Sequence, residues 1–351
     1  MTGPDAQPVR VLTRADVRAL LSISDCIDTI AVAFAQQSDG SVIPSGVLGA
    51  HVDGGSFHIK TAGLRGERRE NSIFAAKVNA NFPGNPKRNG LPTVQGVVAL
   101  FDAAIGRPLA IMDSIEITSA RTAAATAVAT RYFARPDSST VTICGCGEQG
   151  RSHLRALRYV RPIRRTFAFD VDFTTAERYA AEMSAELEIE VTPVRELGAS
   201  TRQADIWVTA TPARRWFIGR DTISAGAFIA AVGADNHEKQ EIAPDLLAAS
   251  KVVVDVLEQC ATMGDLHHAL AAGTMRREDV YAELSDVVVG RRVGRHTADE
   301  VIVFDSTGTA LEDVAAAKLV YDRAIETGVG IDLDLNGVGT MPDALRHASD
   351  A

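Results

Sequence analysis

The stretch from Val141 to Asp170 constrains the fold more than any other part of the chain. An apolar run, Val141 to Cys144, leads into Gly145-Cys146-Gly147-Glu148-Gln149-Gly150, then a helical segment, a second apolar run from Thr166 to Phe169, and Asp170. The first glycine allows a tight turn out of a strand, the second lets a pyrophosphate approach the backbone, and the third lets the helix pack closely on the sheet. Phosphates would rest on the amides of the helix N-terminus, at Glu148, Gln149 and Gly150, where unpaired donors and the positive dipole end favour an anion. Asp170 stands twenty residues after Gly150, where a carboxylate meets an adenosine ribose. A glycine triplet alone is weak evidence. Strand, triplet, helix, strand and acid in register together predict dinucleotide binding.

The residues beyond Asp170 extend the pattern. Apolar runs at Val141–Cys144, Thr166–Asp170, Ile189–Val194, Asp205–Thr209, Ala227–Val232 and Lys251–Val256 alternate with helical or loop segments. That alternation predicts a parallel, doubly wound sheet with right-handed crossovers, ligands lying at the carboxyl ends of its strands. The fourth and fifth strands end at Thr209-Ala210-Thr211-Pro212 and at Val232-Gly233-Ala234-Asp235-Asn236. Thr209, Thr211, Val232 and Gly233 are therefore candidate cofactor contacts, and Asp235 is either a local turn cap or an acid beside the redox centre. One more strand is expected at Val301–Phe304.

The residues before this unit read differently. Thr13 with Asp16, and Ser24 with Asp28, look like helix starts, and Asp39-Gly40 ends the second helix, whose apolar face is Ile27, Ile30, Ala31 and Phe34. Hairpins are expected around Asp53-Gly54-Gly55 and around Ile105-Gly106-Arg107-Pro108, with a strand from Ile73 to Ala80 carrying Lys77. The first hundred or so residues thus form an α+β unit. A strong helix from Ala310 to Ala324, ending at Gly328, returns to complete it. Beyond Ile331 no partner pattern is evident.

Within Ser114–Tyr132, the segment Thr118–Thr130 is nearly all Ala, Thr, Ser and Val, so a helix there can approach its neighbours closely. Its one long cation is Arg121. A buried guanidinium without an anion is prohibitively costly. Arg121 therefore reaches solvent, meets a structural carboxylate, or awaits a substrate carboxylate that its planar fork can bind in bidentate fashion.

Composition narrows the function classes. The 351 residues carry a formal net charge of -9 and are 46% hydrophobic and 23% charged, which suits a globular enzyme and argues against a nucleic-acid partner. No apolar run has membrane-spanning length and Met1–Arg10 has no signal-peptide core, so no membrane is expected and the cytoplasm is the default. The arginines from Arg161 to Arg165 are expected at a solvated helix end. Cys144 and Cys146 read as reduced packing residues and His267-His268 as structural, with no metal site.

With these residues in view, the chain resembles the ornithine cyclodeaminase and mu-crystallin family from roughly residue 10 to 328. The matching stretches are Ala75-Ala76-Lys77-Val78, Leu91 to Gly96, Arg121-Thr122-Ala123-Ala124, the glycine loop, Val232 to Asp235 through Lys239-Gln240-Glu241, and Val303 to Gly308 with Leu311-Glu312-Asp313. The resemblance implies an α/β fold: a Rossmann doubly wound domain over residues 131–309, and a discontinuous α+β substrate and dimerisation domain over 1–130 and 310–351. It also implies NAD or NADP as cofactor, a homodimer, and an α-amino acid or its imine as substrate. Carried over residue by residue, Lys77 and Arg121 hold the substrate carboxylate with help from Thr93, Lys77 is also a candidate proton donor, and Asp235 serves the amino group as acid or base. Asp170 favours NAD over NADP, with the arginines near Arg164 as the counter-indication.

Two departures bear on substrate. Relatives usually carry an arginine soon after the proline matching Pro44, where this chain continues Ser45-Gly46-Val47. His58 and Lys60 stand where ornithine-specific members have an acid and a methionine. Lys60 facing the site would oppose a diamino substrate and suit a second carboxylate or a keto group; facing outward, it and His58 would both leave the site. The expected activity is an NAD-dependent imine reductase or amino-acid dehydrogenase. The alternatives are a cyclodeaminase releasing ammonia and a non-catalytic nucleotide-binding protein.

Overall fold

The computed structural model describes residues 8–335, the side chains at positions 44 and 45 excepted. Two sheets organise the chain. The first has seven strands in the order Ile331–Leu333, Val9–Leu12, Pro108–Asp113, Val94–Asp102, Ile73–Asn81, Gly55–Leu64, Val42–Val52. Every pairing is antiparallel except that of Val9–Leu12 with Pro108–Asp113. Both expected hairpins are present. Because successive side chains alternate between faces, the row Val47, Lys60, Lys77, Val98 lies on one face and the adjacent row Leu48, Ile59, Val78, Val97 on the other. Helices Ser114–Phe133 and Ala310–Thr327 pack on the face that carries the lysines. The opposite face leaves Leu48, Phe57 and Val97 exposed.

The second sheet has eight strands, all parallel, in the order Ala282–Glu283, Lys251–Val254, Ile302–Asp305, Phe228–Ala231, Ile206–Thr209, Thr140–Cys144, Arg165–Phe169, Glu190–Val194. From Thr140–Cys144 the chain runs outward through two strands, then returns to Ile206–Thr209 on the other side. The glycine loop therefore opens at the point where the winding reverses, where open parallel sheets leave a crevice. Ile302–Asp305 inserts between Phe228–Ala231 and Lys251–Val254, and its continuation crosses to the first sheet as the Ala310–Thr327 helix.

Three expectations are corrected. The second helix, Ile23–Asp39, is capped by Ser22, whose side chain accepts from Asp25 N, so Ser24 lies inside its first turn. Ile331–Leu333 has a partner after all: it pairs antiparallel with Val9–Leu12, a link of high sequence separation that short apolar patterning does not reveal. Arg161 is not merely solvated, because its guanidinium donates to the carbonyls of Thr130, Arg131 and Ala134, the last turn of Ser114–Phe133, where a cation complements the dipole.

The small residues of Ser114–Phe133 act as expected. Ala123 to Ala129 are almost wholly buried, the helix packs against both Ile23–Asp39 and Glu148–Val160, and Ser119 Oγ meets Ser152 Oγ at 2.7 Å. The helix bearing Arg121 is thus locked to the helix that starts at the glycine loop. Among the described residues, no helix is long and apolar enough to cross a membrane.

Candidate active site

The three glycines divide their work as the sequence suggests. Gly145 has φ +98°, and a Cβ there would lie 2.5 Å from Ala210 O; a Cβ on Gly150 would lie 2.3 Å from Gly145 O. Gly147 is different, since a Cβ there would meet nothing within 4 Å, so its backbone faces open space. It is also the N-cap of Glu148–Val160 and supplies no side-chain cap, which leaves the first-turn amides to an external anion. Asp170 ends the second strand with its carboxylate fixed: Oδ2 accepts from Cys146 N at 2.9 Å and Oδ1 from Asp172 N at 3.0 Å.

The loops after the fourth and fifth strands are joined by a carboxylate that sequence reasoning assigned no role. Glu241, fully buried, accepts from Thr209 Oγ1 at 2.7 Å, from Thr211 N and Oγ1 at 2.7 and 2.6 Å, and from Gly233 N at 2.9 Å. Val232 N donates to Thr209 O. Burial raises the Glu241 pKa against the pull of its donors. Thr209, Thr211, Val232 and Gly233 thus form one unit, and the Thr211 segment abuts Gly145. The predicted cofactor residues are contiguous, the Thr209, Thr211, Val232 and Gly233 donors being committed to Glu241 and to one another while the first-turn amides after Gly147 are left without a side-chain cap.

The cations lie where the first sheet meets the crossing segment Asp305–Thr309. Lys77 Nζ donates to Asp313 Oδ1 at 2.7 Å and to Thr118 Oγ1 at 3.3 Å. Arg121 Nε is 2.9 Å from the same Asp313 oxygen, and Arg121 Nη1 donates to Glu312 Oε2 at 2.9 Å. Lys77 and Arg121 are 4% and 5% exposed, Glu312 and Asp313 1% and 2%. Arg121 therefore does meet structural carboxylates, from the first turn of Ala310–Thr327. A signal for them was in the sequence: two adjacent acids opening an alanine-rich helix are buried, and buried acids need partners.

Lys60 faces the same cluster. It pairs with Lys77 across the ladder, and its Nζ donates to Gly308 O at 2.7 Å and Thr307 O at 3.3 Å. Gly308 has φ +72°, and a Cβ there would lie 2.4 Å from Arg121 Nη1, so the crossing segment is wedged against both cations. Burial lowers the Lys77 pKa to about 7, with Asp313 opposing and Arg121 and Lys60 assisting. Burial and the Arg121 charge lower that of Lys60 as well. Asp313 stays below the usual carboxylate range because Arg121 and Lys77 outweigh its burial.

Asp235 lies outside this knot. Its Oδ1 accepts from Lys239 Nζ at 2.6 Å and its side chain is 54% exposed, yet its charge acts on both His58 and Lys60. It thus borders the gap between the two sheets, opposite the face carrying those two residues. His58 Nε2 lies 3.0 Å from Ser56 Oγ. Thr93 is not brought to the cations: it precedes Val94, which pairs with Asn81, whereas Lys77 pairs with Val98, a separation of roughly 16 Å along the strand. The side chains at Pro44 and Ser45 lie outside the described residues.

The arrangement offers a fixed dinucleotide cradle, a buried cation cluster for a carboxylate, a lysine near neutrality and an acid at the rim. The family described as "Ornithine cyclodeaminase/mu-crystallin family" matches residues 8–328. An archaeal alanine dehydrogenase dimer with bound NAD superposes with a TM-score of 0.86 at 33% identity, covering 93% of this chain and 98% of that one. Thermococcus litoralis Delta(1)-pyrroline-2-carboxylate reductase, in complex with NADH and L-proline, gives 0.87 at 33%, covering 93% and 100%. The iminosuccinate reductase of Paracoccus denitrificans is 33% identical over 265 residues, 75% of this chain and 81% of that protein.

Proposed function

The chain belongs to the ornithine cyclodeaminase/mu-crystallin family, and from that premise we propose that it is an NAD-dependent oxidoreductase interconverting an α-amino acid and its imine. One observation carries the reading: Lys77, Arg121 and Lys60 cluster on the segment that leaves the carboxyl end of a nucleotide-sheet strand. A carboxylate held there presents its α-carbon to the crevice that the glycine loop opens. The amides after Gly147 would hold the pyrophosphate, Asp170 the adenosine ribose, and the Thr209, Thr211, Val232 and Gly233 unit the nicotinamide half. Asp170 favours NAD, because a ribose phosphate would be repelled. Arg164 does not counter this, since it precedes Arg165–Phe169 at the strand's far end from Asp170.

Nicotinamide, when bound, accepts or returns hydride at the substrate α-carbon. The chain's own groups place that carbon and move protons. Lys77 and Arg121 grip the carboxylate and fix the approach. Asp235 takes a proton from the substrate ammonium in the oxidative direction and returns one in the reductive direction. Lys77, poised near 7, is the second proton carrier; a bound carboxylate restores its charge.

The proposed division is 1–130 with 310–351 for substrate and dimerisation, and 131–309 for the cofactor. The exposed face with Leu48, Phe57 and Val97 is the proposed homodimer contact, an apolar patch that a second copy would cover, and the cytoplasm the proposed location. The test is an assay with NAD and a panel of amino acids, then with NADH and cyclic or amine-derived imines, following reduced cofactor and ammonia. Net NADH change supports the proposal. Tight NADH binding with no turnover of any substrate rejects it in favour of a binding protein.

A further inference from the structure

Lys60 is unlike the other two cations of the cluster. Lys77 and Arg121 each hold a fixed carboxylate, whereas Lys60 spends its donors on the main-chain carbonyls of Thr307 and Gly308. Like charges directly opposite on adjacent strands are destabilising, and Lys60 stands directly opposite Lys77. A lysine kept there at such a cost has a use.

The nearby acids among the described residues are all committed. Asp313 and Glu312 serve Lys77 and Arg121. Asp255 accepts from Gly308 N at 2.8 Å and from the Ser306 and Thr307 hydroxyls. Asp235, the remaining carboxylate whose charge reaches Lys60, is paired with Lys239 and is needed at the substrate nitrogen. A substrate whose side chain ended in an ammonium would find no free acid among these groups and would meet Lys60 as a like charge, which selects against such a ligand. His58, two residues along on the same face, adds a neutral-to-positive neighbour and no anion.

We propose that Lys60 sets the substrate class: the site takes α-amino or α-imino acids whose side chain is neutral or acidic and rejects diamino acids, so the chain does not cyclodeaminate. This rests on the function proposed above and sharpens it. Specificity of this kind comes from a repulsive element as much as from an attractive one.

The test is a kcat/KM comparison of L-alanine, L-proline and L-aspartate with L-ornithine and L-lysine, with NAD and with ammonia followed in parallel, for the wild type, Lys60→Met and Lys60→Glu. The wild type should favour the best of the first group over both diamino acids by about 100-fold or more and release no ammonia without net NADH. Lys60→Glu should move the ratio towards L-ornithine or L-lysine by roughly tenfold or more. Lys60→Met should move it part of the way, and NADH binding by either variant shows that it is folded. Wild-type use of L-ornithine as efficient as that of L-alanine, or variants that lower every substrate equally, overturns the proposal. No turnover of any acid or imine by wild type that binds NADH overturns the function itself, a different result.

Discussion

Arg121 and Lys77 share one carboxylate: Arg121 Nε and Lys77 Nζ lie 2.9 and 2.7 Å from Asp313 Oδ1. All three side chains are almost fully buried, so the two cations are held at a fixed separation before any substrate arrives. Preorganisation of this kind is what lets a carboxylate be oriented as well as bound. It comes from the first turn of a helix nearly two hundred residues further along the chain.

Replacing Asp313 with Asn removes the shared anion while keeping the volume. Breaking a buried pair leaves an uncompensated charge, at a cost of roughly 3–5 kcal/mol, so Asp313→Asn should melt markedly lower. Asp313 is also the main group raising the Lys77 pKa against burial. Substrate KM should rise, and the pH profile of imine reduction should move to lower pH. Wild-type melting and an unmoved profile would show that the pair is dispensable.

Lys77 gives a pH dependence whose sign differs between directions. With a pKa near 7, the neutral amine dominates above that value and the ammonium below it. Amino-acid oxidation, which needs a base, should gain kcat/KM as pH rises through about 7, and imine reduction, which needs a donor, should lose it. Once a carboxylate is bound the ammonium is favoured again, so the matching kcat profiles should sit at higher pH. Lys77→Met should abolish both inflections. Their survival would assign the titration to a group other than Lys77.

Glu241 predicts a cofactor effect without touching the cofactor. It accepts from four donors on two loops. Glu241→Gln turns one acceptor into a donor facing donors, at roughly 1–3 kcal/mol. NADH affinity by fluorescence titration should fall about tenfold, with a smaller change in substrate KM at saturating cofactor. Equal losses in both, or none, would make Glu241 a purely structural residue.

The nucleotide sheet was legible because its signal is local: apolar runs, a glycine triplet and an acid within thirty residues fix a strand-helix-strand unit. The hairpins were legible for the same reason. What escaped were relationships between distant segments. Nothing near Arg121 in sequence announces Glu312 and Asp313, nothing near Thr209 announces Glu241, and the pairing of Ile331–Leu333 with Val9–Leu12 spans the chain. The face on which Lys60 lies was undecidable from alternation, because alternation relates His58 to Lys60 without saying which side the helices cover. Thr93 shows the converse: the strand register leaves it far from Lys77 within one chain.

His153 supplies a prediction on stability. It is fully buried on Glu148–Val160, its Nδ1 is 2.7 Å from Gln149 O, its Nε2 has no partner among the described residues, and burial lowers its pKa to about 4. The unfolded chain binds this proton below about 6.5, the folded chain only below about 4. Between those values the unfolded state holds more protons, so stability falls as pH drops from 6.5 towards 4 and is unaffected by this group above 6.5. The loss amounts to roughly 3 kcal/mol at the acid end. His153→Leu should flatten that part of the melting curve against pH while leaving the neutral and alkaline limbs alone, because leucine fills much of the same space without a proton to bind. Parallel curves for the two proteins between pH 4 and 6.5 would show that the buried imidazole of His153 does not set the acid sensitivity.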